Sequence, residues 1–193
     1  MSELPRIAVL VSGGGRSLAN LAERIAAGEL PCRIGLVLSD RPGTGALERC
    51  ERLDLPHLVL PWKEIGDVDE FGRRAFAAIE EHGCELVVLA GFLRLLRIPE
   101  AWLGRVINIH PALLPAFGGK GYYGDRVHAA VLERGCGFTG CTVHLLDNEY
   151  DHGRILLQRC VEVHHDDTVE SLAARVFEEE KIALPEAIRR LLA

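Results

Sequence analysis

Arg6-Ile7-Ala8-Val9-Leu10-Val11 runs without a break into Ser12-Gly13-Gly14-Gly15-Arg16-Ser17. The apolar, β-branched stretch reads as a buried strand, and three successive glycines let the backbone turn sharply out of it. The apolar spacing from Ser17 to Ala27 then reads as a helix. Free amides at such a helix start, on the positive end of its dipole, favour an anion. Arg16 can add a charge-assisted bond to a phosphate. The dinucleotide fingerprint fails, because its third glycine would fall where Leu18 stands, and no Gly-Lys-Ser/Thr follows to make a P-loop. A single-phosphate site competes here with a plain strand-to-helix turn.

Outward from this start the pattern alternates. Arg33 to Ser39, His57 to Leu60, Glu85 to Ala90 and Arg105 to His110 read as further strands. Helical spacing lies between them at Gly45 to Leu53 and Asp67 to His82, the latter with Phe71, Ala75, Phe76 and Ile79 on one face. Continuous apolar strands separated by helices predict a parallel sheet covered on both faces. After Pro111 the pattern changes to a glycine-rich loop, Phe117 to Gly124, and a helix over Asp125 to Arg134. Gly140 to Leu146 and Arg154 to His164 are strands joined too closely for a parallel crossover, so they pair antiparallel. Thr168 to Leu192 closes the chain as a helix that Pro185 breaks or kinks. The fold class is α/β with a mixed sheet.

Val106-Ile107-Asn108-Ile109-His110-Pro111 carries the chemistry. Alternation puts Asn108 and His110 on one face of the strand, and Pro111 ends the ladder. Both side chains then lie at the carboxyl end of a sheet strand, where open α/β sheets bind ligands. An amide beside an imidazole suits acyl chemistry: the amide bonds a developing oxyanion and an imidazolium stabilises or protonates it. Asp151, in the turn between the late strands, is a candidate partner that would raise the His110 pKa or relay a proton. His144 is a further polar residue of that region. Spacing alone does not join Asp151 to His110; a core histidine and a turn aspartate are the competing readings.

The 193 residues suit one domain, and 48% hydrophobic with 26% charged content excludes a disordered chain. The net charge of −6 argues against nucleic acid as a partner. The longest apolar run, Leu86 to Leu93, falls short of the roughly 20 residues a membrane span needs. Met1-Ser2-Glu3-Leu4-Pro5-Arg6 shows no secretory signal. Cys32, Cys50, Cys84, Cys136, Cys141 and Cys160 lack the close pairing of a zinc site, so no metal is expected. They read as reduced, mostly buried thiols of a cytoplasmic protein.

Asn108-Ile109-His110-Pro111-Ala112-Leu113-Leu114-Pro115 resembles the N-x-H-P-S-L-L-P signature of the folate-dependent formyltransferase family. Gly140-Cys141-Thr142-Val143-His144, then Asp151-x-Gly153 and Gln158, resembles its second block. Ser12 to Leu18 resembles the phosphate loop, and Val87 to Leu96 the folate segment, of the branch that acts on glycinamide ribonucleotide in purine synthesis. The resemblance implies a single Rossmann-like three-layer domain over 1–193, the formyltransferase fold. It implies formyl transfer from 10-formyltetrahydrofolate, as co-substrate, to the amine of glycinamide ribonucleotide. It assigns Asn108 and His110 to the oxyanion and Asp151 to tuning His110 and moving the amine proton. Gly15, Arg16 and Ser17 fall to the phosphate and Glu180 to the substrate amino group. Leu93, Arg94, Leu95 and Leu96, with Asn108, fall to the folate. The small-molecule substrates are the implied partners of a monomer or homodimer.

This chain departs from the family pattern in three places. Arg16-Ser17 stands where better-known members have Ser-Asn or Thr-Asn. The segment after Pro115 is longer than usual and contains Lys120, and Val68 stands where a basic residue is common. A formyltetrahydrofolate hydrolase is the alternative within the family, and a non-catalytic nucleotide-binding protein the alternative outside it. Family members acting on transfer RNA carry a further C-terminal domain and the hydrolases an N-terminal one, which favours the purine branch for a chain of this extent.

Overall fold

The computed structural model describes residues 3–193. Met1 and Ser2, the first residues of the segment read as lacking a secretory signal, lie outside the described residues. The fold is α/β on one mixed sheet. Its strands are β1 (Arg6–Val11), β2 (Arg33–Ser39), β3 (His57–Val59), β4 (Leu86–Leu89), β5 (Val106–His110), β6 (Phe138–Leu145) and β7 (Ile155–Glu162). They lie in the order β3-β2-β1-β4-β5-β6-β7. By compactness the chain divides into two units, and the division falls inside β5, between Ile107 and Asn108.

In the first unit β1 pairs in parallel with β2 and with β4, and β2 with β3. Ile7 to Val11 are fully buried, as a strand covered on both faces requires. The chain runs outward from β1 through β2 in one direction and resumes at β4 on the other side. That reversal makes the carboxyl ends of β1 and β4 the switch point, where such sheets bind ligands. The unit's helices are α1 (Arg16–Ala26), α2 (Gly45–Arg52), α3 (Trp62–Ile65) and α4 (Val68–Glu81). The Asp67 side chain caps α4 by accepting the Glu70 N–H at 2.8 Å. The face expected to be apolar, Phe71, Ala75, Phe76 and Ile79, is buried.

The second unit holds the end of β5, α5 (Asp125–Arg134), the antiparallel β6–β7 pair and α6 (Val169–Leu192). Thr168 and Ser171 cap α6 reciprocally, each side chain taking the other's backbone N–H.

The expected elements are all present, with ends moved by a residue or two. Pro185 does not break α6, which is continuous through it. One backbone N–H is missing there, but Pro185 is buried with Ala183, Leu184, Ala187 and Ile188, and that burial outweighs the lost bond. Two pieces were not foreseen: α3 and a 3-10 turn at Glu100–Trp102. Both are too short to show a period. All six cysteines are free thiols; Cys32, Cys50, Cys84 and Cys141 are buried, Cys136 is half-buried and Cys160 exposed. Burial pushes Cys32, Cys50 and Cys84 up to about 11, which leaves them poor nucleophiles at neutral pH.

Candidate active site

In the second unit β5 delivers Asn108, half-buried, and His110, buried, from one face, and the strand ends there. The turn that follows is pegged by Thr142 of β6. Its hydroxyl donates to the Ala112 carbonyl (2.7 Å) and accepts the Leu114 N–H (3.0 Å). Gln158 of β7 donates to that hydroxyl (3.0 Å) and to the Leu114 carbonyl (2.9 Å). Two positions along β6, alternation places His144 on the same face as Thr142. The β6–β7 connection brings in Asp151, held in the left-handed region at φ 52°.

These groups converge. His110 Nδ1 lies 3.5 Å from Asp151 Oδ2, and His144 Nε2 lies 3.6 Å from Asp151 Oδ1. The Asn108 amide nitrogen is 3.2 Å from His144 Nε2 and donates to Asp151 Oδ1 at 3.3 Å. The acid and the imidazole that spacing could not connect are therefore neighbours across 41 residues of chain (151 − 110).

The hydrogen bonds settle where the protons sit. Carbonyl oxygens only accept, so His110 Nε2, 2.8 Å from the Phe117 carbonyl, carries a hydrogen. His144 Nδ1 likewise donates to the Leu145 carbonyl at 2.9 Å, and its Nε2 faces both the Asn108 amide and Asp151 Oδ1. The Gly119 N–H donates to Asp151 Oδ2 at 3.0 Å. Gly118 has no room for a side chain, since a Cβ there would meet Leu114 Cδ2 at 2.5 Å and Asp151 Cβ at 3.3 Å. The Phe117–Gly119 backbone thus lies directly against the cluster.

The Asp151 charge acts to raise the His110 pKa, as expected, but burial is the larger effect and the ring titrates below its ordinary 6.5. His110 is therefore uncharged at neutral pH rather than a standing imidazolium. Burial works to raise the Asp151 carboxyl, but the neighbouring His144 and His110 rings and the Gly119 N–H outweigh it and hold it below 3.8.

In the first unit the glycine loop sits where β1 enters α1. Gly15 is its N-cap at φ 72°, and a Cβ there would lie 2.8 Å from that of Ala46. Gly13 and Gly14 are exposed, and a Cβ on either would meet nothing within 4 Å. Only Gly15 is required by the fold; the other two keep open space beside the turn. Arg16 is exposed, Ser17 half-buried, and no acidic residue occupies the first turn of α1. Arg49, which sequence reasoning missed, donates from Nε to the Gly14 carbonyl at 2.9 Å.

Leu93, Arg94, Leu95 and Leu96 follow β4 in no regular structure, with Leu93 exposed and Leu96 buried. The Leu93 N–H donates to the Ser12 hydroxyl at 3.0 Å, which ties this segment to the end of β1. Asp40, fully buried, accepts from Arg41 and from Arg94 Nε (2.9 Å) and hydrogen-bonds Ser12. The Arg94 guanidinium also lies over the Trp62 ring at 5.5 Å. Glu180 of α6 is half-buried rather than solvated. Burial chiefly, and then the charges of Glu180 and Glu179, push the Cys141 thiol up to about 12.

The mixed α/β sheet thus brings an amide, an imidazole and a carboxylate together at the end of its fifth strand. The chain belongs to the formyl transferase family, whose profile matches residues 5–188. It is 40% identical over 178 residues to the chloroplastic phosphoribosylglycinamide formyltransferase of Arabidopsis thaliana, covering 91% of this chain and 61% of that protein. It is also 40% identical over 186 residues to the trifunctional purine biosynthetic protein adenosine-3 of Gallus gallus, covering 95% of this chain and 18% of that protein. The chain thus spans about three-fifths of one curated relative and under a fifth of the other. The crystal structure of glycinamide ribonucleotide transformylase 1 from Symbiobacterium toebii matches with a TM-score of 0.92 at 36% identity, covering 100% of this chain and 89% of that one.

Proposed function

We propose that this chain transfers the formyl group of 10-formyltetrahydrofolate to the amine of glycinamide ribonucleotide, with residues 1–193 acting as one catalytic domain. The observation that carries the reading is the contact of Asn108, His110 and Asp151 in a chain of the formyl transferase family. The names of the Arabidopsis and Symbiobacterium relatives supply the substrate.

His110 and Asp151 are the proton acceptors. The Phe117 carbonyl keeps the ring hydrogen on Nε2, so the Nδ1 lone pair faces the Asp151 carboxylate across 3.5 Å with no hydrogen of the ring between them. A proton released by the attacking amine is held there, shared by the ring and the carboxylate, and passes to the departing folate nitrogen as its bond to the formyl carbon breaks. Asn108 supplies the oxyanion donor: its 3.3 Å bond to Asp151 is long, and that N–H passes to the developing negative charge. The folate supplies an activated formyl group. Leu93 to Leu96 lie outside any ladder, so their backbone groups are available to its ring, and Arg94 is held beside them by Asp40. Gly15, Arg16 and Ser17 hold the phosphate, for which the open side of Gly13 and Gly14 leaves room. Glu180 holds the substrate amino group. Reduced thiols support a cytoplasmic location; among the described residues, no helix is long and apolar enough to cross a membrane.

The test is formylated product from purified protein given both substrates, with formate measured in parallel. No product from folded protein refutes the reading, and formate release independent of the amine points to hydrolysis instead. Asn108→Ala raises the barrier by about 2.7–4 kcal/mol, as removal of an oxyanion donor does. Undiminished turnover in that variant removes Asn108 from the mechanism.

A further inference from the structure

We propose that Arg49 is a positioning residue for the phosphate site: it turns the glycine-loop amides toward the ligand by holding the loop's carbonyls on the other side. This rests on the phosphate role proposed above for the turn at Gly15.

The argument is one of peptide geometry. The Gly13 carbonyl accepts the Ala46 N–H at 3.1 Å, and the Gly14 carbonyl accepts Arg49 Nε at 2.9 Å. Both donors belong to α2. The only cis peptide bond among the described residues is Leu114–Pro115, so the peptides joining Gly13 to Gly14 and Gly14 to Gly15 are trans. In a trans peptide the N–H points opposite to the C=O of the same plane. Clamping the Gly13 and Gly14 carbonyls against α2 therefore turns the Gly14 and Gly15 N–H groups away from it.

The side they face is the open one. On the α2 side the loop is closed, with Ala46 against Gly15 and Gly45 close to Gly14. Away from it, Gly13 and Gly14 are exposed and a Cβ on either would meet nothing within 4 Å. Among the described residues no backbone acceptor takes the Gly14 or Gly15 N–H. Arg49 is the side chain that holds the Gly14 carbonyl from α2. Without it the peptide between Gly14 and Gly15 can rotate and present its oxygen to the anion, which repels it. Glycine on both sides makes that rotation sterically cheap. Arg49 thus acts on affinity for the phosphorylated substrate through the loop, not on the reacting atoms.

Side-chain length separates the hydrogen bond from the charge. Gln places its amide nitrogen as many bonds from the backbone as Arg Nε but carries no charge. Lys keeps the charge but sets its nitrogen one bond further out, and Met has neither. Ribose 5-phosphate binding is measured by calorimetry, alongside KM and kcat for glycinamide ribonucleotide. In Arg49→Met, Kd and KM rise roughly tenfold, the loss of one charge-assisted hydrogen bond, while kcat moves far less. Arg49→Gln recovers most of that loss and Arg49→Lys less.

If Arg49→Gln binds as weakly as Arg49→Met, or more weakly than Arg49→Lys, Arg49 acts by charge and the proposal falls. It falls equally if Arg49→Met binds like the unmodified chain. Should Arg49→Met not fold, the order of Gln against Lys decides alone. Ribose 5-phosphate binding that follows the predicted order in a chain without formyl transfer sinks the proposed reaction and keeps this assignment. Normal transfer with indistinguishable variants does the reverse, and an unmodified chain that binds no phosphate overturns both.

Discussion

His110 sets the pH at which the cluster can act. Its ring is depressed below 6.5 by burial, with Asp151 opposing, so it is already a free base at pH 7. The acid limb of kcat/KM accordingly has its midpoint below 6.5, and a midpoint above 7 contradicts the assignment of His110 as base. Asp151→Asn removes the charge that props the ring's pKa up, so in that variant the limb moves to still lower pH while the rate falls. Stability follows the same signs. Both groups are depressed in the folded chain, so their contribution is complete above their ordinary values. It is lost as pH falls, for His110 from 6.5 downward and for Asp151 from 3.8 downward. His110 stood out in the N-x-H pattern and Asp151 was tied to it only through the second block of the family resemblance, and neither charge state was legible. A pKa is decided by the groups that surround a side chain after folding, and the burial of His110 reversed the direction that Asp151 alone suggests.

Elements position these residues, and the sharpest test at this scale is the backbone over the cluster. Gly118→Ala drives a methyl against Leu114 and Asp151. Relief comes by moving the Phe117–Gly119 stretch, which breaks the Gly119 N–H bond to Asp151 and the Phe117 carbonyl bond to His110. Overpacking of this kind costs about 1–3 kcal/mol. The strain displaces the site groups, so kcat/KM falls by roughly tenfold or more while the thermal midpoint drops by several degrees; wild-type kinetics in this variant would show the loop contact to be incidental. β1 and β2 stood out as unbroken apolar runs, and α4 because it buries one face at helical spacing. Local pattern missed α3, whose four residues complete barely one turn, and it overstated Pro185. A helix breaker is a local signal, and α6 is decided by the apolar stripe it buries.

At the scale of the whole molecule, two ligands are each expected to bind the folded chain alone. A ligand at 100 times its Kd adds about 2.7 kcal/mol to stability. For a domain near 200 residues that raises the thermal midpoint by roughly 5–10 °C, since each kcal/mol is worth about 2–4 °C. Glycinamide ribonucleotide and a non-reacting folate analogue should each produce such a shift separately. A shift with the nucleotide only would favour the non-catalytic binding reading. Element order, the parallel-then-antiparallel plan and the polar pair on β5 are written in local runs of residues, because alternation, helical spacing and turn chemistry act over a few positions. Other features needed closure over long stretches of chain: Asp151 meeting His110, Gln158 and Thr142 pegging the turn at Leu114, Asp40 binding Arg94, and Arg49 reaching back to Gly14. Such contacts leave no periodic trace, since they depend on which distant side chains the packed sheet brings within about 3 Å, and on how much water that packing removes.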